Sequence, residues 1–176
     1  IGSSDGGFDA GIGLLTHSAT DSDTDVLNVS GNIFETIGSD GQRAFYINPG
    51  VDQFVFGNNQ ILGNFVKLSI AQAKDGLVEG NTVTGTGSSS GLGTWGYPDA
   101  TLYGHTTFRG NTVSGTSAAI EIYDSQDVSI EGNDLSGNET SVSLVDYGLS
   151  PSPDISTISV TDNALSSTVG LENGFA

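Results

Sequence analysis

The sequence predicts an all-β solenoid in which short parallel strands wind coil upon coil around one core. Three observations carry that prediction. An asparagine recurs six times, at Asn32, Asn59, Asn81, Asn111, Asn133 and Asn163. Each copy sits in one apolar frame. Val29, Phe56, Val78, Phe108, Ile130 and Val160 come three residues before it, and Phe34, Ile61, Val83, Val113, Leu135 and Leu165 two residues after. The steps between copies are 27, 22, 30, 22 and 30 residues, a period at which each repeat is one supersecondary unit stacked on its neighbours. A unit that short has no room for a crossover helix, so equivalent strands lie in parallel, about 4.8 Å apart.

The elements follow in order. Ile12-Gly13-Leu14 reads as the second strand of an earlier coil. Before each asparagine comes a short alternating run, such as Val26-Leu27-Asn28-Val29, Val128-Ser129-Ile130 or Ile158-Ser159-Val160, the mark of a half-buried strand. After it come a short apolar step, a small residue and a second alternating run. Those second runs are Ala44–Ile47, Val66–Ile70, Thr101–Tyr103, Ile120–Ile122, Val142–Leu144 and Val169–Leu171. Asparagine suits the corner because it tolerates left-handed backbone and because stacked amides bond from coil to coil. The longer steps place loops at Thr86–Asp99 and Tyr147–Ser156. The whole chain, 1–176, reads as one domain, with 1–25 as a partial coil and acidic loop.

Composition sets limits on function. Only 14% of residues are charged, and they are one-sided, 21 acidic against 4 basic, for a net charge of −17. Such a surface repels phosphate backbones and anionic membranes, which argues against nucleic-acid partners and membrane insertion. It suits cation-rich surroundings. There is no Cys and no Met, which predicts a processed product or an excerpt. The acidic, lysine-poor makeup leans toward an extracellular or cell-surface location. Asn28-Val29-Ser30 and Asn138-Glu139-Thr140 fit the N-glycan acceptor pattern, the first inside a predicted strand.

The repeat units Val128-Ser129-Ile130-Glu131-Gly132-Asn133-Asp134-Leu135-Ser136-Gly137 and Phe108-Arg109-Gly110-Asn111-Thr112-Val113-Ser114-Gly115 resemble those of the right-handed parallel β-helix superfamily. That superfamily includes pectate lyase-like enzymes, alginate epimerases, phage tailspikes and surface adhesins. The resemblance covers roughly residues 10–172 and implies a single-stranded, right-handed parallel β-helix of about six to seven coils. It bears on fold more than on activity, because the repeats carry packing residues.

Candidate chemistry is sparse. Gly87-Ser88-Ser89-Ser90-Gly91 and Gly91-Leu92-Gly93-Thr94-Trp95-Gly96 match nucleophile-elbow and dinucleotide patterns, but without the strand–turn–helix context either needs. Asp21, Asp23 and Asp25 alternate as calcium ligands can, though Val26 and Asn32 stand where an EF-hand needs Gly and Glu. If Phe45, Val66, Leu102 and Ile120 point inward, Tyr46, Lys67, Tyr103 and Glu121 form an outward column, beside Ser69, His105 and Tyr123. The likeness to epimerases and lyases implies that Lys67 neutralises a uronate carboxylate, that Tyr103 and His105 exchange protons, and that Glu121 orients them. The stretches Trp95–Asp99 and Tyr103-Gly104-His105 depart from the epimerases' Tyr-Gly-x-Asp-Pro-His order. Trp95, Tyr97 and Tyr123 are candidates for sugar contact. Asp124, Asp127 and Asp146 are the nearest set to a glycosidase's carboxylates.

The expectation is therefore a secreted, non-catalytic structural or adhesive module with calcium or glycan contacts. Neither end reads as a cap helix, which predicts end-to-end stacking into filaments or a surface layer. A polysaccharide lyase or uronate epimerase is the alternative, and a phage tailspike segment a third.

Overall fold

The computed structural model describes residues 10–14, 26–36, 43–47, 53–63, 68–71, 75–86, 90–95, 105–146, 155–166 and 169–172. Three parallel sheets wrap one core, and each full coil gives one strand to each. Numbered in chain order, the first sheet holds β1 (Ala10–Leu14), β4 (Arg43–Ile47), β7 (Leu68–Ala71), β10 (Leu92–Trp95), β13 (Ala118–Tyr123), β16 (Thr140–Val145) and β19 (Val169–Glu172). The second holds β2 (Val26–Ser30), β5 (Gln53–Gly57), β8 (Asp75–Glu79), β11 (His105–Arg109), β14 (Val128–Glu131) and β17 (Ser159–Thr161). The third holds β3 (Ile33–Thr36), β6 (Gln60–Gly63), β9 (Thr82–Gly85), β12 (Thr112–Ser114), β15 (Asp134–Leu135) and β18 (Ala164–Leu165). The short apolar steps after each asparagine are thus strands themselves. The one helical element among the described residues is a 3-10 turn, Ile155–Thr157.

Register follows the apolar frame. Val29, Phe56, Val78, Phe108, Ile130 and Val160 form one inward file on the second sheet. Ile61, Val83 and Val113 continue the file begun by Phe34 on the third. The inner members of both files are fully buried. Phe34, Phe45 and Phe56, one from each sheet, meet with ring centroids 5.2 to 6.0 Å apart, a favourable range for aromatic pairs. Where one rung carries a large ring, its neighbour is trimmed: a Cβ on Gly76 would collide with the ring of Phe54 below it.

The corner between the second and third sheets holds the asparagines. Each amide oxygen from Asn59 to Asn163 accepts the backbone N–H and the side-chain Nδ2–H of the asparagine one coil earlier, at 2.8 to 3.1 Å. From Asn59 onward, Nδ2 also donates to a carbonyl of the preceding coil: Val29, Phe56, Val78, Phe108 and Ile130. Asn59, Asn81, Asn111 and Asn133 are buried. The left-handed backbone belongs to the residue before each ladder asparagine. Gly31, Asn58, Gly80, Gly110, Gly132 and Asp162 have φ between 53° and 70°. Glycine holds that conformation without strain, and Asn and Asp are the side chains that tolerate it best.

The structure departs from the sequence reading in the third step, the first of the two 30-residue ones. The Thr86–Asp99 stretch supplies a strand, β10, within what composition marks as loop. Leu92 of β10 pairs with Leu68 and Ile120, filling the position assigned to Leu102. The glycines that suggest a loop serve close packing, because a Cβ on Gly91 would meet Val113 and the carbonyl of Ala119. Thr101–Tyr103 lies outside the described residues.

Candidate functional site

The register decides which side chains share an outer face. On the first sheet the row through Tyr46 runs to Ser69, Gly93, Glu121, Ser143 and Gly170. Glu121 therefore has Gly93 and Ser143 as rung neighbours, in place of Tyr103. The cause is the choice of β10 as the strand of that coil. Lys67 and Tyr103 lie outside the described residues. Tyr123, two residues along β13, faces the same way as Glu121 and donates its hydroxyl hydrogen to Glu121 Oε2 at 2.5 Å. The Ser90 hydroxyl donates to the same oxygen. Ser90, Tyr123, Ser141 and Ser143 are buried around the half-buried Glu121 carboxylate.

His105 stands elsewhere. It opens β11 on the second sheet, in register with Asp75, and shares a 2.9 Å hydrogen bond between Nε2 and Thr107 Oγ1. The register of Thr106 with Val128 sets Asp127 on its other side. At the far end of the same strand, Arg109 lies between Glu79 and Glu131. Its Nη2 donates to Glu79 Oε2 at 2.6 Å. That hydrogen bond, then the Glu79 charge, then the more distant Glu131 charge raise the arginine above its ordinary value. The outer face of the second sheet thus interleaves acid, base and acid in two rows, with His105 and Glu121 on different sheets.

At the corner between the third and first sheets, Gly85, Gly115 and Gly137 stack beside Thr116 and Asn138. Gly115 N–H donates to Gly137 O at 3.0 Å. Asn138 Oδ1 accepts from Thr116 N–H and Oγ1–H at 3.0 and 2.8 Å. An open groove of about 680 Å³ runs along this corner, with Thr86 and Glu139 at its margins. Gly115 is required there, since a Cβ would run into the carbonyl of Gly85.

The remaining candidates are placed as follows. Asp124 and Asp127 have φ of 42° and 54° and bracket the turn between β13 and β14, and Asp124 N–H donates to Val145 O at 3.0 Å. Trp95 ends β10 opposite Ala71 and Tyr123. Tyr97, Asp21, Asp23 and Asp25 lie outside the described residues. Among the described residues no group of three His, Asp or Glu side chains is arranged to hold a metal, and no helix is long and apolar enough to cross a membrane. Sequence reasoning missed Ser90, hidden in a Ser/Gly run whose strand it did not recognise.

Searches of curated proteins and of solved structures return no match. A family model described as the right handed beta helix region matches residues 10–170. Its span coincides with the three-sheet coil and its asparagine corner, and the chain belongs to the right-handed β-helix family.

Proposed function

We propose that the chain is a non-catalytic structural module of the cell exterior: a stiff β-helical rod that meets neutral polysaccharide along its sides and other copies at its ends. The observation that supports this most is the state of Arg109. One of the chain's four lysines and arginines, it is bonded to Glu79 with Glu131 on the next rung. Proton abstraction beside a uronate needs a cation to neutralise the carboxylate. A uronate on this face would instead meet Asp75, Glu79, Asp127 and Glu131.

The rod's stiffness comes from the amide file, which ties every coil from Asn32 to Asn163 to the next. Contact at the ends is supported by the outermost rungs of the second and third sheets. Leu165 is 44% exposed, whereas Ile61, Val83, Val113 and Leu135 in its file are fully buried. Leu27, Val29 and Val160 are likewise only half-buried. The open corner groove offers a site where a neutral sugar chain can lie along the coils. Calcium at the acidic stretch 21–25 belongs to the same proposal.

The lyase or epimerase alternative rests on the Tyr123–Glu121 hydrogen bond, a phenol and a carboxylate side by side. One experiment separates the two readings. The native protein is incubated with alginate, pectin and neutral glucans, then imaged by electron microscopy. The expected result is no unsaturated or epimerised product, together with end-to-end particles. Product formation that disappears in Glu121→Gln would overturn the proposal.

A further inference from the structure

We infer that Asn28 is an N-glycan acceptor and that the fold reserves this role for it alone among the two acceptor tripeptides. The inference rests on the proposed extracellular setting and adds a covalent modification to it. The two tripeptides are alike in sequence and opposite in structure. Asn138 is buried, and its Nδ2 donates to Val113 O at 2.7 Å and Leu135 O at 2.8 Å. Both amide hydrogens are used inside the molecule, and Oδ1 holds Thr116. Attaching a sugar to that nitrogen would break the corner between the third and first sheets.

Asn28 lies on the outer face of β2, exposed, with Ser30 two residues on and facing the same way. The Ser30 hydroxyl donates to Asn28 Oδ1 at 3.0 Å, and among the described residues Nδ2 has no hydrogen-bond acceptor. A linked sugar therefore displaces no internal contact. The neighbours supply a second, independent reason. Asn28 is in register with Val55, and Val55 with Leu77, both half-buried on the outer face. Val26, two residues before Asn28, is 68% exposed. These three residues form an apolar strip at one end of a sheet whose other outer positions are mainly Thr, Ser and charged residues. A sugar on Asn28 would lie against the strip with its C–H face and shield it, as the exposure of apolar area to water favours.

The chemistry balances with a lipid-linked oligosaccharyl phosphate as donor. Nδ2 of Asn28 forms a bond to the anomeric carbon, the bond from that carbon to the phosphate oxygen breaks, the lipid phosphate leaves with the electron pair, and Nδ2 gives up one proton.

The test is to secrete the full chain from eukaryotic cells that N-glycosylate and to release glycans with an amidase in heavy-oxygen water. Peptide mass mapping then reads which asparagine became labelled aspartate. The expected result is label at Asn28 only. Asn28→Gln and Ser30→Ala each lose the single glycan, Ser30→Thr keeps it, and Thr140→Ala changes nothing. Deglycosylated protein should bind more of an apolar dye than the glycosylated form. The inference is overturned if folded, secreted protein carries unmodified Asn28, or if it carries a glycan on Asn138. These readouts involve no polysaccharide turnover and no assembly, so their failure is distinct from failure of the structural-module reading.

Discussion

Replacing Asn111 by alanine isolates what the amide ladder contributes. Its Oδ1 accepts Asn81 N–H at 3.0 Å and Asn81 Nδ2–H at 2.9 Å, and its Nδ2 donates to Val78 O and Asn133 Oδ1, both at 2.9 Å. Asn133 Oδ1 would still hold the backbone N–H of residue 111. The backbone N–H of Asn81 and one of its two Nδ2 hydrogens, the other staying on Phe56 O, would lose their acceptor in a buried corner. Each stranded buried donor costs about 1–3 kcal/mol, so Asn111→Ala should lose about 2–6 kcal/mol. That is a large fraction of the roughly 5–15 kcal/mol typical of a folded domain. Asn32 is the control. Its side chain is exposed and donates to Asn59 Oδ1 and Ser30 O, so its removal strands no buried donor among the described residues. Asn32→Ala should cost about 1 kcal/mol or less. Urea unfolding followed by circular dichroism compares the two variants with the parent, with unchanged slope as the check that the same unfolding is measured. Equal losses for the two variants, or a loss below about 1 kcal/mol for Asn111→Ala, would refute the view that internal amide pairing stabilises the rod.

Two further predictions concern the corners. Gly110 has φ of 61° and open space around its Cα, so Gly110→Ala should cost only the left-handed strain, about 1–2 kcal/mol. Gly115→Ala adds a backbone collision with Gly85 and should be much worse, to be compared by thermal unfolding. Asp134 accepts from Ser136 Oγ–H at 2.6 Å and Ser136 N–H at 3.1 Å. Its carboxyl is held below the ordinary carboxylate range, first by that hydroxyl and then by the backbone N–H. A carboxyl depressed on folding contributes stability above the ordinary carboxylate value and loses it as pH falls through its own lower value. Ser136→Ala should move the Asp134 titration upward toward the ordinary value, as read by NMR, and weaken that acid-side dependence.

The asparagine frame was legible in the sequence because it is written in local terms. An apolar residue three before and two after each corner fixes which way each strand faces, and a one-residue error would turn every core side chain outward. That is why Phe56, Val78, Phe108 and Ile130 could be assigned to the core without coordinates, and why the parallel stack followed from spacing alone. The position of the left-handed residue was less legible, since Asn and Gly both favour that conformation and stand side by side. Only the folded backbone and its hydrogen bonds show that Gly110 makes the bend while Asn111 makes the ladder.

What tertiary structure alone decided was the outer faces. A coil with residues to spare can take its strand from more than one segment, and alternation in Thr101–Tyr103 competes with alternation in Leu92–Trp95. The choice is made by contacts distant in sequence. Leu92 fills the core position between Leu68 and Ile120, and Gly91 allows the close approach of Val113 and Ala119. That choice puts Gly93 beside Glu121, and β11 carries His105 on a different sheet. Inward positions answer to one shared core and so repeat along the chain. Outward positions answer only to the rungs above and below, and those neighbours are known once the chain has wound.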